Sequence, residues 1–236
     1  MNENEKRYEK TLPYETARNV EKKADETSSQ KAQTPAYEKI AVTGGIGSGK
    51  STVCALIKQA GYPVFSCDDI YAQMLTEPDF AAAVEILFPG SVTNGRVEKA
   101  ALFQQIVIRN GAVELLNAFT HPKIMDRLFG KMNEAAKTSG ALKVFAEVPL
   151  LFEGGFDKLF DKIIVVQRNE TDKIQSVVAR DRCKEEAVLK KMSLQFDYSL
   201  PPQKGNYPSF EKIVFLKNDV SPARLKTRLN ALLKKL

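Results

Sequence analysis

The sequence is poor in the residues that build metal centres and disulfide frameworks. One histidine, His121, in 236 residues excludes any multi-histidine metal site. The three cysteines, Cys54, Cys67 and Cys183, are odd in number and widely spaced, with no Cys-x-x-Cys pair. That argues against a disulfide framework or a structural zinc and for a reducing compartment. No stretch approaches the roughly 18 apolar residues of a membrane-crossing helix. The opening MNENEKRYEK lacks the apolar core of a secretory signal, so a cytoplasmic protein that binds no membrane is expected. No internal repeat is present. A composition of 43% hydrophobic and 27% charged residues excludes a wholly disordered or collagen-like chain. The 35 basic against 29 acidic residues give a net charge of +6, which suits an anionic ligand as well as nucleic acid and decides between neither.

Residues 1–38 stand apart. They hold seven basic and eight acidic residues, and only Leu12 and Val20 among the large aliphatics. Such a segment buries too little apolar surface to offset its ordering entropy, so a disordered or loosely helical extension is expected there. Without it, 28 basic and 21 acidic residues remain, and the positive charge belongs to the folded part, residues 39–236.

From Lys39 onward the pattern alternates. Ile40-Ala41-Val42-Thr43 reads as a buried strand ending at a glycine cluster. Val53, Leu56, Ile57 and Ala60 then recur at helical spacing over residues 51–60, with Gly61 as the C-terminal stop. Further strands are expected at 62–66, 142–148, 162–167 and 212–216. Strands separated by helices imply parallel β-α-β units, an α/β three-layer fold with a five-stranded parallel sheet. The interval 70–140 keeps a helical period through Val84/Leu87/Phe88, Leu102/Phe103/Ile106, Leu115/Leu116/Phe119 and Ile124/Leu128, and is read as an inserted helical subdomain. Residues 183–210, charged and then rich in Pro, Gly and Tyr, read as a second insertion. A last amphipathic helix follows Ser221-Pro222, with Leu225, Leu229, Leu232, Leu233 and Leu236 on one face.

Gly44-Gly45-Ile46-Gly47-Ser48-Gly49-Lys50-Ser51 satisfies G-x-x-x-x-G-K-[ST] between a strand and a helix. Glycines let successive N–H groups turn inward around a phosphate, and the following helix aims its positive end at the same anion. The expected nucleotide contacts are Gly47, Ser48, Gly49, Lys50, Ser51 and Thr52. Lys50 would reach the β- and γ-phosphates of ATP, and the Ser51 hydroxyl would ligate Mg²⁺. The GTPase strings D-x-x-G and N-K-x-D are absent, with Lys217-Asn218-Asp219 the nearest, and the chain is too short for most motor ATPases. A small-molecule kinase remains.

Such a kinase needs a group that holds the acceptor hydroxyl. Cys67-Asp68-Asp69 follows the second strand, at the sheet edge where open α/β folds present ligands. Either carboxylate could do this chemistry or cap the next helix. Arg180-Asp181-Arg182 closes a helix from about Thr171. Its arginines could neutralise charge on the transferring phosphoryl group, or merely complement the helix macrodipole.

IAVTGGIGSGKSTV, Ser66-Cys67-Asp68-Asp69-Ile70, Thr120-His121-Pro122, Val148-Pro149-Leu150-Leu151-Phe152-Glu153 and Ala179-Arg180-Asp181 follow one another as in the dephospho-coenzyme A kinases, which the chain resembles over most of 39–195. The resemblance implies ATP-dependent phosphorylation of the ribose 3′-hydroxyl of dephospho-CoA, the last step of coenzyme A synthesis. It also implies a nucleoside-monophosphate-kinase-like P-loop fold with a helical acceptor-binding subdomain at 70–140 and a small lid at 171–200. It places the catalytic aspartate on Asp68 and the lid arginine on Arg180, beside Lys50 of the P-loop. His121 would begin a helix of the acceptor subdomain. A nucleic-acid partner is not implied. The chain departs from the family pattern at Ser66, where an aspartate is usual, and at Ala72, Ser176 and Lys191, where arginines are usual. It also lacks the Ala-Asp before the final strand. The departures keep two alternatives open, a different small-molecule or nucleotide kinase and a non-catalytic nucleotide-binding module.

Overall fold

A computed structural model describes residues 37–236, so nearly all of the expected 1–38 extension lies outside the described residues. In chain order the elements begin with β1 (Glu38–Thr43), α1 (Lys50–Gln59), β2 (Val64–Ser66), α2 (Cys67–Met74), α3 (Pro78–Leu87), β3 (Val92–Thr93), β4 (Arg96–Val97) and α4 (Lys99–Ile108). They continue with α5 (Ala112–Ser139), β5 (Lys143–Glu147), β6 (Lys162–Gln167), α6 (Glu170–Asp181), α7 (Glu185–Ser193), β7 (Ile213–Lys217) and α8 (Pro222–Leu233). The described residues form two compact units, 37–65 with 131–236, and 66–130.

The first unit is built on a five-stranded parallel sheet in the order β2-β5-β1-β6-β7. Its central strands are apolar at consecutive positions, because a parallel sheet is covered on both faces. Ile40 to Val42 and Ile163 to Val166 are all fully buried. One face carries Ile40, Val42, Phe145, Ile164 and Val166 against Val53 and Ile57 of α1 and Leu225, Leu229 and Leu233 of α8. The expected leucine stripe of the last helix therefore holds, with Leu232 and Leu236 packed at its margin. Away from that cluster, Phe152, Phe196, Tyr198, Tyr207 and Phe215 form a continuous chain of ring contacts 4.8–5.9 Å apart. The segment after α7, read from sequence as part of a charged and then Pro-, Gly- and Tyr-rich insertion, supplies three buried aromatic residues, Phe196, Tyr198 and Tyr207, to the core.

Where expected boundaries shift, local hydrogen bonding explains it. Helix α1 ends in a Schellman turn. Gly61 takes φ 93°, its N–H donates to Lys58 O, and the Tyr62 N–H donates to Ile57 O. Tyr62 is thereby committed to the turn and Pro63 has no N–H to give, so β2 starts at Val64 rather than at 62.

The second unit is largely helical, as the period implies, but it departs from the reading in places. The segment 92–97 is a β-hairpin turning at Asn94 (φ 51°) and Gly95 (φ 72°), with Val92 opposite Val97. Asn-Gly is the preferred pair for a type I′ turn, a signal that the helical reading of 70–140 passed over. Phe103 of α4 is 65% exposed, so Leu102 alone is buried in that helix. His121, expected to open a helix, lies inside α5 beside Pro122. Pro122 has no N–H to donate, which a helix tolerates best in its first turn, yet here the helix continues through it. Burial lowers the pKa of His121 and favours the neutral ring.

Leu229 is fully buried between α1 and the sheet. Leu229→Ala should cost about 2–5 kcal/mol by urea unfolding. A loss under about 1 kcal/mol contradicts its place in this core.

Candidate functional site

The glycine-rich loop leaves β1 at the carboxyl edge of the sheet and enters α1 through Gly49, whose φ of 90° only glycine adopts without strain. No side chain caps α1 and no acidic residue stands in its first turn. A helix start of this kind suits an anionic acceptor. The neighbouring structure fits tightly around the loop. A Cβ on Gly47 would stand 2.5 Å from the Lys173 carbonyl oxygen, and one on Gly49 would overlap the Asn218 side-chain amide. These glycines are thus required by close approach as well as by conformation.

Three long-range hydrogen bonds fix the loop. The Asn218 amide, just past β7, donates to Ser48 O at 2.8 Å. The Ile46 N–H donates to Gln195 Oε1 at 2.8 Å. Arg168, just past β6, donates through Nη1 to Gly47 O at 3.4 Å and to Ser176 Oγ at 2.7 Å. Lys50 donates to the carbonyl oxygens of Gly44 and Gly45 at 2.7 and 3.1 Å, so its ammonium lies folded over the loop itself. Ser48 Oγ is buried and has no hydrogen-bond partner among the described residues.

Two carboxylates lie close by. Glu147, the last residue of β5, accepts from Ser51 Oγ at 3.0 Å. This hydroxyl and carboxylate are hard oxygen donors of the kind that hold Mg²⁺ together with substrate phosphates. The described residues contain no group of three His, Cys, Asp or Glu that could hold an ion unaided. Glu153 accepts from the Phe196 N–H at 2.8 Å through Oε1, while its buried Oε2 has no hydrogen-bond partner among the described residues. Burial raises its pKa, partly countered by that bond and by the Lys50 charge. Burial, and secondarily Glu147, also pushes the Cys54 thiol up, which keeps it protonated and unreactive.

The expected site residues are distributed as follows. Gly47 to Thr52 and Lys50 form the loop and first turn of α1 in the first unit. Asp68 opens the second unit, exposed in the first turn of α2. The capping role left open for Asp68 or Asp69 belongs to Ser66, whose hydroxyl accepts from the Asp69 N–H at 3.3 Å. Arg180 is exposed in the last turn of α6 and bonded to Asp181 at 2.7 Å, while Lys191 lies 3.8 Å from the same carboxylate. Arg180, through its hydrogen bond, holds the Asp181 carboxyl below its ordinary range.

Glu147, Arg168, Gln195 and Asn218 escape the sequence reading. Glu147, Arg168 and Asn218 end or immediately follow strands at the ligand-presenting edge, a signal available once strands are placed. Gln195 follows a helix and carries no such signal.

The raised pKa of Glu153 makes a pH prediction. Its folded value lies above the ordinary 4.5, so its contribution to stability is full below pH 4.5 and is lost as pH rises through the folded titration. Glu153→Gln keeps an acceptor for Phe196 without the ionisation. Measured by urea unfolding, the wild type should lose stability relative to this variant as pH rises from 4.5. A difference that does not change with pH contradicts the assignment.

The profile of the dephospho-CoA kinase family matches residues 39–200. The dephospho-CoA kinase of Brucella melitensis biotype 1 is 36% identical over 141 residues, 60% of this chain and 70% of the relative. That of Rhodopseudomonas palustris strain BisB18 is 31% identical over 189 residues, 80% of this chain and 92% of the relative. A Thermus thermophilus protein of solved structure matches with a TM-score of 0.70 at 29% identity, over 85% of this chain and 98% of its own. The dephospho-CoA kinase of Campylobacter jejuni matches with a TM-score of 0.56 at 22% identity over 85% and 97%, a likeness of fold. The matched span opens at β1 and runs past the loop, the second unit and both helices that follow β6, and on this ground the chain belongs to the dephospho-CoA kinase family.

Proposed function

We propose that the protein transfers the γ-phosphoryl group of ATP to the ribose 3′-hydroxyl of dephospho-CoA. The observation that carries this is the uncapped, glycine-framed start of α1 in a chain of this family. Inward-facing amides of Gly47 to Thr52 would surround the phosphates. Phosphates arriving there offer Lys50 stronger, charged acceptors than the carbonyl oxygens of Gly44 and Gly45 that it now holds. Ser51, oriented by Glu147, supplies a ligand for Mg²⁺, which when bound neutralises charge on the β- and γ-oxygens.

Asp68 takes the acceptor hydroxyl proton. Support comes from its place directly after β2, its exposure, and the transfer of the capping duty to Ser66. The transition state of phosphoryl transfer is loose, so Asp68 acts by orienting the hydroxyl as well as by accepting its proton. Arg180 neutralises negative charge on the transferring phosphoryl group, which requires it to leave Asp181. No described helix is long and apolar enough to cross a membrane.

A coupled assay with MgATP and a panel of acceptors tests the reading. Dephospho-CoA should be turned over far faster than AMP, CMP or shikimate, with little ATP hydrolysis when no acceptor is present. Preference for another acceptor, or fast hydrolysis without one, overturns it. In the same assay Asp68→Asn should lower kcat by about 10²–10⁴-fold. Turnover near that of the wild type removes Asp68 from the chemistry.

A further inference from the structure

Arg168 is the first residue after β6, and β6 runs beside β1 with Thr43 in register with Val165. The register brings Arg168 alongside the loop that follows β1. Its guanidinium is held from three directions, by Ser176 Oγ at 2.7 Å, Gly47 O at 3.4 Å and Asp172 Oδ2 at 3.9 Å. The side chain is 27% exposed. Arginine carries five N–H donors in a rigid fork. The contacts here use Nη1 and Nε and leave Nη2 without a hydrogen bond among the described residues. A fixed positive charge with an unspent donor edge therefore stands at the rim of a loop whose amides suit phosphate.

Electrostatics favours an anionic partner over a purely structural role. Gly47 O and Ser176 Oγ are neutral acceptors, and the single carboxylate, Asp172, is distant for a hydrogen bond and itself 41% exposed. A phosphate oxygen offers the charge-assisted geometry that these neighbours do not. Ser176 also occupies a helix position where the family resemblance leads one to expect an arginine. In this protein the head group beside that position arrives from the end of β6 instead.

We propose that Arg168 binds the phosphate chain of the nucleotide, supplying from the strand end a cation that α6 lacks at Ser176. The proposal rests on reading the loop as an ATP site. The test uses the full chain with Arg168→Ala and Arg168→Lys, and reads ADP binding by calorimetry, steady-state kinetics with each substrate varied, and the unfolding midpoint without nucleotide. For Arg168→Ala, the ADP Kd and the KM for ATP should rise about 10- to 100-fold, the scale of a charged hydrogen bond. The KM for dephospho-CoA should stay put, and any fall in the nucleotide-free midpoint from losing the bonds to Gly47 O and Ser176 Oγ should come without a matching loss for dephospho-CoA. Arg168→Lys should recover part of the affinity, since lysine restores the charge without the fork. ADP affinity within twofold of wild type in both variants overturns the proposal. So does a lowered midpoint with equal losses for both substrates, which marks Arg168 as a strap between α6 and the loop. A wild type that does not bind ADP at all overturns the ATP-site reading itself, which keeps the two failures distinct.

Discussion

The site depends on how closely three parts of the first unit press on one loop. Val166 O of β6 crowds Gly44, Lys173 O of α6 crowds Gly47, and the Asn218 amide past β7 crowds Gly49. A side chain at any of these positions would have to displace main chain or a hydrogen-bonded amide. The loop's form is therefore set by the sheet edge around it as much as by its own sequence. The link from fold to function is direct, since the parallel order places the ends of β1, β6 and β7 side by side and each contributes to the same few peptide groups.

Charge is arranged with similar economy. Lys50 and Arg168 bring two cations to the loop, while Glu147 is engaged with Ser51 and the half-buried Glu153 accepts from the Phe196 N–H. Burial disfavours the charged form of Glu153, and the Lys50 ammonium offsets part of that cost. A phosphate entering such a site meets donors already oriented, which lowers the reorganisation needed on binding. In the proposed reaction Lys50, now bonded to two carbonyl oxygens, would exchange neutral acceptors for charged ones.

What could be read from sequence divides along physical lines. The loop, the strand pattern and the leucine stripe of α8 are local, periodic features, and the structure has them within a few residues. The partners of the loop are not local. Asn218 reaches Ser48 across 170 residues, and Gln195 reaches Ile46 across 149, distances over which periodicity is silent. The hairpin at Asn94-Gly95 was legible in its turn residues but lay among helices whose apolar period dominated the interval. The period at Leu102, Phe103 and Ile106 is that of a helix, as α4 is, but it does not say which of them is buried, and α4 buries only Leu102. The aromatic residues of 196–207 sit in a Pro-, Gly- and Tyr-rich stretch read only as an insertion. They are buried because Phe152, in the Pro-Leu-Leu-Phe-Glu motif, offers rings to pack against.

The central claim is that the main-chain amides of Gly47 to Thr52 grip phosphate. Titration of ¹⁵N-labelled protein with MgATP, followed by amide chemical shifts, tests it most directly. The account predicts saturable shifts that are largest in residues 47–52. Shifts that leave these amides in place while others move would contradict it.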